Sequence, residues 1–129
     1  MLPRRLRKLP RHDLGGGVVI IEANTWCSRL IGLAGLRLRD IPRWHALLLR
    51  PCRSVHTLGM CFELDLIFLS DQGTVLEVER GVPPARIRTC RRAAAVLECP
   101  PQLSPPGFPF DRLDYADLLR RPSPPGARA

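Results

Sequence analysis

The sequence predicts an α+β fold that is mainly β, a compact antiparallel β-barrel-like domain with one short helical excursion. Three observations predict it. From residue 46 onward, short apolar segments rich in β-branched residues alternate with turn residues. Asp71-Gln72-Gly73, between two of these segments, is typical of a hairpin connection. Before them, one stretch has apolar residues spaced three and four apart, as in an amphipathic helix.

The first elements are a strand and this helix. Residues 18–23 are β-branched and predict the strand, and Asn24 or Thr25 can cap the helix that follows. The apolar positions of the helix predict that its first aromatic residue, Trp26, packs in the core. Ile41-Pro42 ends this region. The strands then predicted are ALLLR, RSVHTL, LDLIFLS, TVLEVER, RIRTC and AAAVLEC.

The 129 residues divide into three predicted parts. Residues 1–16 form a basic flexible arm, residues 17–100 a single globular β-rich domain, and residues 101–129 a Pro-rich extension with a short helix. One domain is expected because two cores in a chain of this length would each be marginal. Much of the net charge of +8 lies in the arm, which we interpret as a solvated basic segment.

Composition and cysteine usage exclude several classes of protein. No apolar run approaches the roughly 20 residues that cross a bilayer, and the basic N-terminus lacks the apolar segment of an export signal. The five cysteines are odd in number and form no Cys-x-x-Cys pair, so we expect buried thiols rather than disulfides. The sequence therefore predicts a cytoplasmic protein that has no membrane partner, cofactor or metal, and nothing in it specifies an oligomeric state.

The segments CSRLIGLAGL, LLLRPCRSVHTLGMCFELDLIFLSDQGTVLEV and AAAVLEC resemble a small prokaryotic family known as domain of unknown function 192. The resemblance spans Trp26 to Cys99. It implies a compact, mainly β domain with a short helical segment, and the family has no established activity. The family's signature positions fall on Ser54, His56, Thr57, Gly59, Met60 and Asp65.

The segment SVHTLGM carries the candidate site. If RSVHTL and LDLIFL pair as a hairpin, a tight turn places His56 opposite either Asp65 or Glu63, with Cβ atoms about 4.5–5.5 Å apart. A carboxylate there would fix the histidine tautomer, as a general base requires and as a structural pair also shows. Cys52 is about 13 Å away along the strand, which is too far to be a partner of His56.

These patterns predict a binding domain. We expect Ser54, His56, Thr57, Met60 and Asp65 to line a polar barrel mouth that holds a small molecule or a peptide segment. One alternative is a hydrolase-type enzyme in which His56 and Asp65 are the acid/base pair, although the sequence shows no nucleophile or cofactor motif. A second is a nucleic-acid accessory protein that uses the basic arm, which we favour less because the other charges are scattered.

Overall fold

Most of the strands lie in a single sheet. We describe them from a computed structural model of residues 2–101 and 110–122. In chain order the elements are α1 (Arg4–Arg7), β1 (Arg11–Gly15), β2 (Val18–Ala23), α2 (Trp26–Ile31), β3 (His45–Leu49), β4 (Ser54–His56), β5 (Leu64–Leu69), β6 (Val75–Val82), β7 (Ile87–Thr89), β8 (Ala95–Cys99) and α3 (Ala116–Arg120), with 3-10 turns at Leu38–Asp40 and Phe110–Arg112. The domain is mainly β, as predicted. None of the helices in this part of the chain has the length and apolar character needed to cross a membrane.

The main sheet has six strands in the order β1-β2-β3-β8-β5-β6, and β4 and β7 form a separate two-stranded sheet. Within the described residues β1 and β6 are the two edges of an open sheet, so the barrel-like closure predicted from the sequence is not found. The sheet is also not purely antiparallel, because β2 and β3 run parallel. Residues 24–44 join these two strands and include α2, and a connection of this length is what a parallel crossover requires.

Both faces of the sheet are buried. One face, here called the helix face, packs against α1, the loop after α2 and β4, which contribute buried residues such as Leu6, Leu33 and Val55. The other, the C-terminal face, is covered by Phe110, Tyr115 and neighbouring residues of the last segment. Strands β2 and β8 are therefore buried along their whole length, which explains their nearly continuous apolar sequences.

The elements α1 and β1 pack on the rest of the fold, whereas the sequence predicts a flexible arm over residues 1–16. Leu6 on α1 is only 3% exposed within the core of the helix face. Strand β1 pairs with β2, with Arg11 opposite Ile21. In the C-terminal extension, for which the sequence predicts a short helix, α3 spans Ala116–Arg120. Residues 102–109 and 123–129 of that extension lie outside the described residues.

Helix α2 is shorter than its predicted pattern. Thr25 caps it, since its Oγ1 accepts a hydrogen bond from the Ser28 N–H at 3.1 Å. The helix ends at Gly32, whose φ of 52° and ψ of −127° suit glycine and few other residues. Because the helix stops there, Leu33 reaches the core from the following loop, whereas Trp26 is 69% exposed. The prediction that Trp26 packs in the core is therefore wrong.

Candidate functional site

Strand β4, which carries the SVH of the candidate motif, pairs with β7 and not with β5. His56 lies opposite Ile87 in this pairing. Strand β5 cannot accept β4, because β6 and β8 occupy its two edges. The predicted hairpin, and with it the opposition of His56 to Asp65 or Glu63, is therefore wrong.

Asp65 belongs to a different environment. It lies opposite Cys99 in the pairing of β5 with β8. Its carboxylate accepts hydrogen bonds from the Gly81 N–H at 2.9 Å and from the Arg80 guanidinium at 3.3 Å. Arg80 also pairs with Asp111 at 2.7 Å. The partners of Asp65 are thus Arg80 and Gly81 and not His56. The acid/base pair of the hydrolase alternative is therefore not formed.

The other predicted site residues separate into two groups. Thr57 is buried and holds the loop before β7, because its Oγ1 donates to the Pro83 carbonyl at 2.7 Å and accepts from the Arg86 N–H at 2.8 Å. Ser54 and Met60, in contrast, lie with His56 on the wall of a pocket. The structure thus brings together three of the five predicted residues and leaves out Thr57 and Asp65.

This pocket lies on the helix face of the sheet and has a volume of about 340 Å³. Helix α2 supplies an apolar wall with Trp26 and Leu30, while β4 and the residues before it supply Cys52 and His56. The volume is at the small end of the range for ligand sites, which is about 300–1,000 Å³.

Glu98 on β8 also lines this pocket, although it is not among the predicted site residues. It is only 3% exposed. The neighbouring strands place Leu47 and Leu66 opposite it. A Cβ atom built on Gly32 would lie 2.8 Å from its Oε1 atom, so the glycine that ends α2 makes room for the carboxyl group.

Burial changes the protonation of Glu98. Desolvation raises its pKa to about 8, and a hydrogen bond from the Leu33 backbone only partly opposes this effect. At pH 7 the side chain is therefore mainly a neutral carboxylic acid. Its Oε1 atom and the Nδ1 atom of His56 are both buried and have no hydrogen-bond partner among the described residues. Two residues that line one pocket thus each carry a buried polar atom with no partner.

A second buried carboxylate shows how an internal acid is normally stabilised. Glu22 on β2 is 0% exposed, and its Oε1 atom lies 2.8 Å from His12 Nε2. Its Oε2 atom lies 3.9 Å from the Arg50 guanidinium, which also donates to the Leu118 carbonyl at 3.0 Å. Glu98 has no such ion pair within residues 2–101 and 110–122. The two glutamates therefore differ in pairing and not in depth.

Cys52 lines the same pocket as His56, which the spacing along a strand did not predict. Its thiol donates to the Ser54 carbonyl at 3.3 Å, and desolvation raises its pKa. A thiol with a raised pKa is a poor nucleophile at neutral pH. The part of the chain that the structure describes holds no group of three or more His, Cys, Asp or Glu side chains suited to a metal ion.

The sequence does carry a signal for Glu98. In the predicted strand AAAVLEC it is the only charged residue, and the segment is apolar at both odd and even positions. Such a strand is buried on both faces, so its carboxyl group must be buried with it and needs a partner or a changed protonation state. The same argument applies to the glutamate in VVIIEA.

Comparison with known proteins places the chain in a family. The family model DUF192, described as uncharacterised ACR, matches residues 13–104, well over half of the chain. This protein belongs to the DUF192 family. The resemblance drawn from the SVHTLGM and AAAVLEC segments is thereby confirmed, and β4, β8 and α2 all lie within the match.

Two solved structures share the DUF192 fold of this chain. A protein from Sinorhizobium meliloti, described as a proposed transcription regulator, is 21% identical, with a TM-score of 0.58 over 64% of this chain and 68% of that one. A protein of unknown function from Novosphingobium aromaticivorans is 16% identical, with a TM-score of 0.54 over 72% and 71%. At these identities the similarity shows the fold alone. No curated protein matches the chain.

Proposed function

We propose that this DUF192 protein is a binding domain, whose pocket between α2, β4 and β8 takes a small molecule or the end of a peptide segment. The observation that carries the proposal is that two residues lining this pocket, Glu98 and His56, each carry a buried polar atom with no partner among the described residues. An unsatisfied buried polar atom costs about 1–3 kcal/mol, so a ligand that bonds to both atoms recovers that free energy.

The protonation cost of Glu98 supports the same conclusion. A buried acid with a strongly raised pKa lowers the stability of a fold at neutral pH, and such groups cluster at functional sites. Glu22, at similar depth, has the His12 imidazole and the Arg50 guanidinium as partners. Glu98, which has no ion-pair partner among the described residues, lines a pocket, as expected if a ligand in the pocket provides that partner.

The pocket favours binding over hydrolysis. Hydrolysis needs an activated nucleophile, and the thiol of Cys52 has its pKa raised by burial instead of lowered. Asp65, the proposed partner of a catalytic His56, is held by Arg80 and the Gly81 N–H. A cytoplasmic location is part of the proposal, because the five free cysteines suit a reducing compartment.

A thermal-shift screen of the full chain against a metabolite library tests the proposal. A true ligand should raise the melting temperature of the wild type, because binding to the folded state alone stabilises it. His56→Ala removes one of the two polar atoms and should reduce that shift. The control is Glu77→Gln, a change at an exposed position on β6 that should keep the full shift. Hits that stabilise His56→Ala as strongly as wild type, or no hits at all, would contradict the proposal.

A further inference from the structure

The charges around the pocket at neutral pH restrict what it can bind. The charged residues on its wall are Arg29, Arg53 and Glu98. Arg29 is half-buried and donates to the Asn24 carbonyl at 3.1 Å, and Arg53 is exposed. Because Glu98 is mainly neutral at pH 7, the wall then carries two guanidinium groups and no carboxylate. An anionic ligand is therefore favoured over a cationic one.

The two unpaired atoms add hydrogen-bonding requirements. A neutral carboxylic acid has one O–H donor, and an imidazole nitrogen donates in one of its tautomers. Glu98 and His56 can therefore each give a hydrogen bond to a ligand. A carboxylate has two acceptor oxygens and would satisfy both donors, and hydrogen bonds to an ionised acceptor are stronger than neutral ones.

Most of the remaining wall of the pocket is apolar. Trp26 and Leu30 on α2 are 69% and 47% exposed, and Met60 closes the pocket on the side of β4. The loop that carries Met60 is joined to the loop after α2 by a hydrogen bond of 2.8 Å from the Gly35 N–H to the Gly59 carbonyl. Exposed aromatic and branched side chains beside polar groups suit a ligand with an apolar body.

We propose that the ligand is a small carboxylate with an apolar body, whose carboxylate accepts hydrogen bonds from Glu98 and His56 and whose body packs on Trp26 and Leu30. This inference rests on the proposed binding function and specifies the chemistry of the same pocket. The carboxylate belongs either to a free organic acid or to the C-terminal residue of a peptide.

The pH dependence of binding follows from the groups that face Glu98. Strands β3 and β5 place only Leu47 and Leu66 opposite it. The α2 side contributes Arg29, and the β4 side contributes Cys52, Arg53 and His56. Glu98 loses its proton as the pH rises through about 8, and its carboxylate then repels the carboxylate of the ligand. Binding of a carboxylate should therefore be strong below that pH and weaken above it.

Isothermal titration calorimetry on the full chain tests the proposal with matched probes. Phenylacetate and phenylacetamide represent the free acid and its uncharged analogue. N-acetyl-Ala-Leu, as the free acid and as the C-terminal amide, represents the peptide source. We expect the carboxylate of at least one pair to bind about tenfold or more tightly than its amide at pH 7. Its Kd should rise by about tenfold per pH unit above pH 8.

Variants of Glu98 separate its role from a general effect of charge. In Glu98→Gln the side-chain amide can donate at every pH, so the rise in Kd between pH 8 and 9.5 should disappear. In Glu98→Ala carboxylate binding should weaken at all pH values. The control, Glu77→Gln, should keep the wild-type pH profile.

The outcomes distinguish this inference from the proposed function. Amides that bind as tightly as carboxylates, or a pH profile that persists in Glu98→Gln, would overturn the proposal that the ligand is a carboxylate. Library hits confined to cationic or neutral compounds would do the same and leave the binding function intact. If neither the probes nor the library stabilise the wild type, both are refuted. Selective binding of the peptide acid or of the free acid supports the inference and shows whether the carboxylate comes from a peptide C-terminus or from a free organic acid.

Discussion

Replacing Glu98 by glutamine should stabilise the protein at neutral pH, although it changes a buried residue in the centre of the sheet. In the unfolded chain this glutamate ionises with a pKa near 4.5, whereas burial raises the pKa to about 8 in the folded state. Folding at pH 7 must therefore bind a proton. At about 1.36 kcal/mol per pH unit, over roughly 2.5 units, this costs about 3 kcal/mol. Glutamine has nearly the shape of the neutral acid and avoids the cost.

The sign of the pH dependence follows from the same pKa values. Between pH 4.5 and 8 the folded state binds more protons than the unfolded state, so the wild-type free energy of unfolding falls as the pH rises. The stabilising contribution of the protonated acid is complete below about 4.5 and is lost as the pH passes 8. The advantage of Glu98→Gln over wild type should therefore be small at pH 5, about 3 kcal/mol at pH 7, and constant above pH 8.

Urea denaturation at several pH values measures this difference. With an m value of about 1.5 kcal/mol per M, a stabilisation of 3 kcal/mol moves the midpoint at pH 7 by about 2 M. Glu77→Gln, at an exposed position, serves as the control and should move the midpoint little at any pH. A Glu98→Gln protein that is less stable than wild type at pH 7, or a difference that does not change between pH 5 and 8, would refute the reasoning.

Three further substitutions test the surroundings of the site. Gly32→Ala forces a side chain into a glycine conformation against the buried carboxyl group, and should cost about 1–3 kcal/mol in thermal unfolding. Arg50→Met leaves Glu22 with one ion-pair partner fewer and should lower the free energy of unfolding by about 3 kcal/mol; limited proteolysis should then cut within residues 110–122, which Arg50 holds. Trp26→Ser should change stability by less than about 0.5 kcal/mol, because the indole is mostly exposed, and a larger loss would mean that it packs in the core.

The strands could be predicted from the sequence because their signal is local. Each run of β-branched and apolar residues became a strand, and Asp71-Gln72-Gly73 joins β5 to β6 as a hairpin, with Leu69 opposite Val75. The pairing of those strands is not a local property. Whether β5 has a free edge depends on β8, about 30 residues later, and no periodicity within RSVHTL or LDLIFL contains that information.

Only the part of the site that is local in the sequence could be predicted. Ser54, His56 and Met60 lie close together in the chain, and a strand followed by a short loop keeps them on one wall. The prediction of Asp65 depends on a hairpin between β4 and β5, and the structure pairs β4 with β7 instead. The spacing that predicts a core position for Trp26 requires a helix that continues past Gly32, and the helix ends at that glycine, which has a positive φ.

The two buried glutamates show where sequence reasoning stops and the structure becomes necessary. Both stand alone among apolar residues, in VVIIEA and AAAVLEC, so their burial can be deduced from the sequence. Their partners cannot, because His12 and Arg50 reach Glu22 from β1 and from the residue after β3. An acid without such partners lowers the stability of the domain unless something outside the chain completes it. Glu98 is that acid, and a pocket lies against it. A ligand that stabilises the wild type and acts through Glu98 would therefore explain why this acid is buried with no ion-pair partner among the described residues.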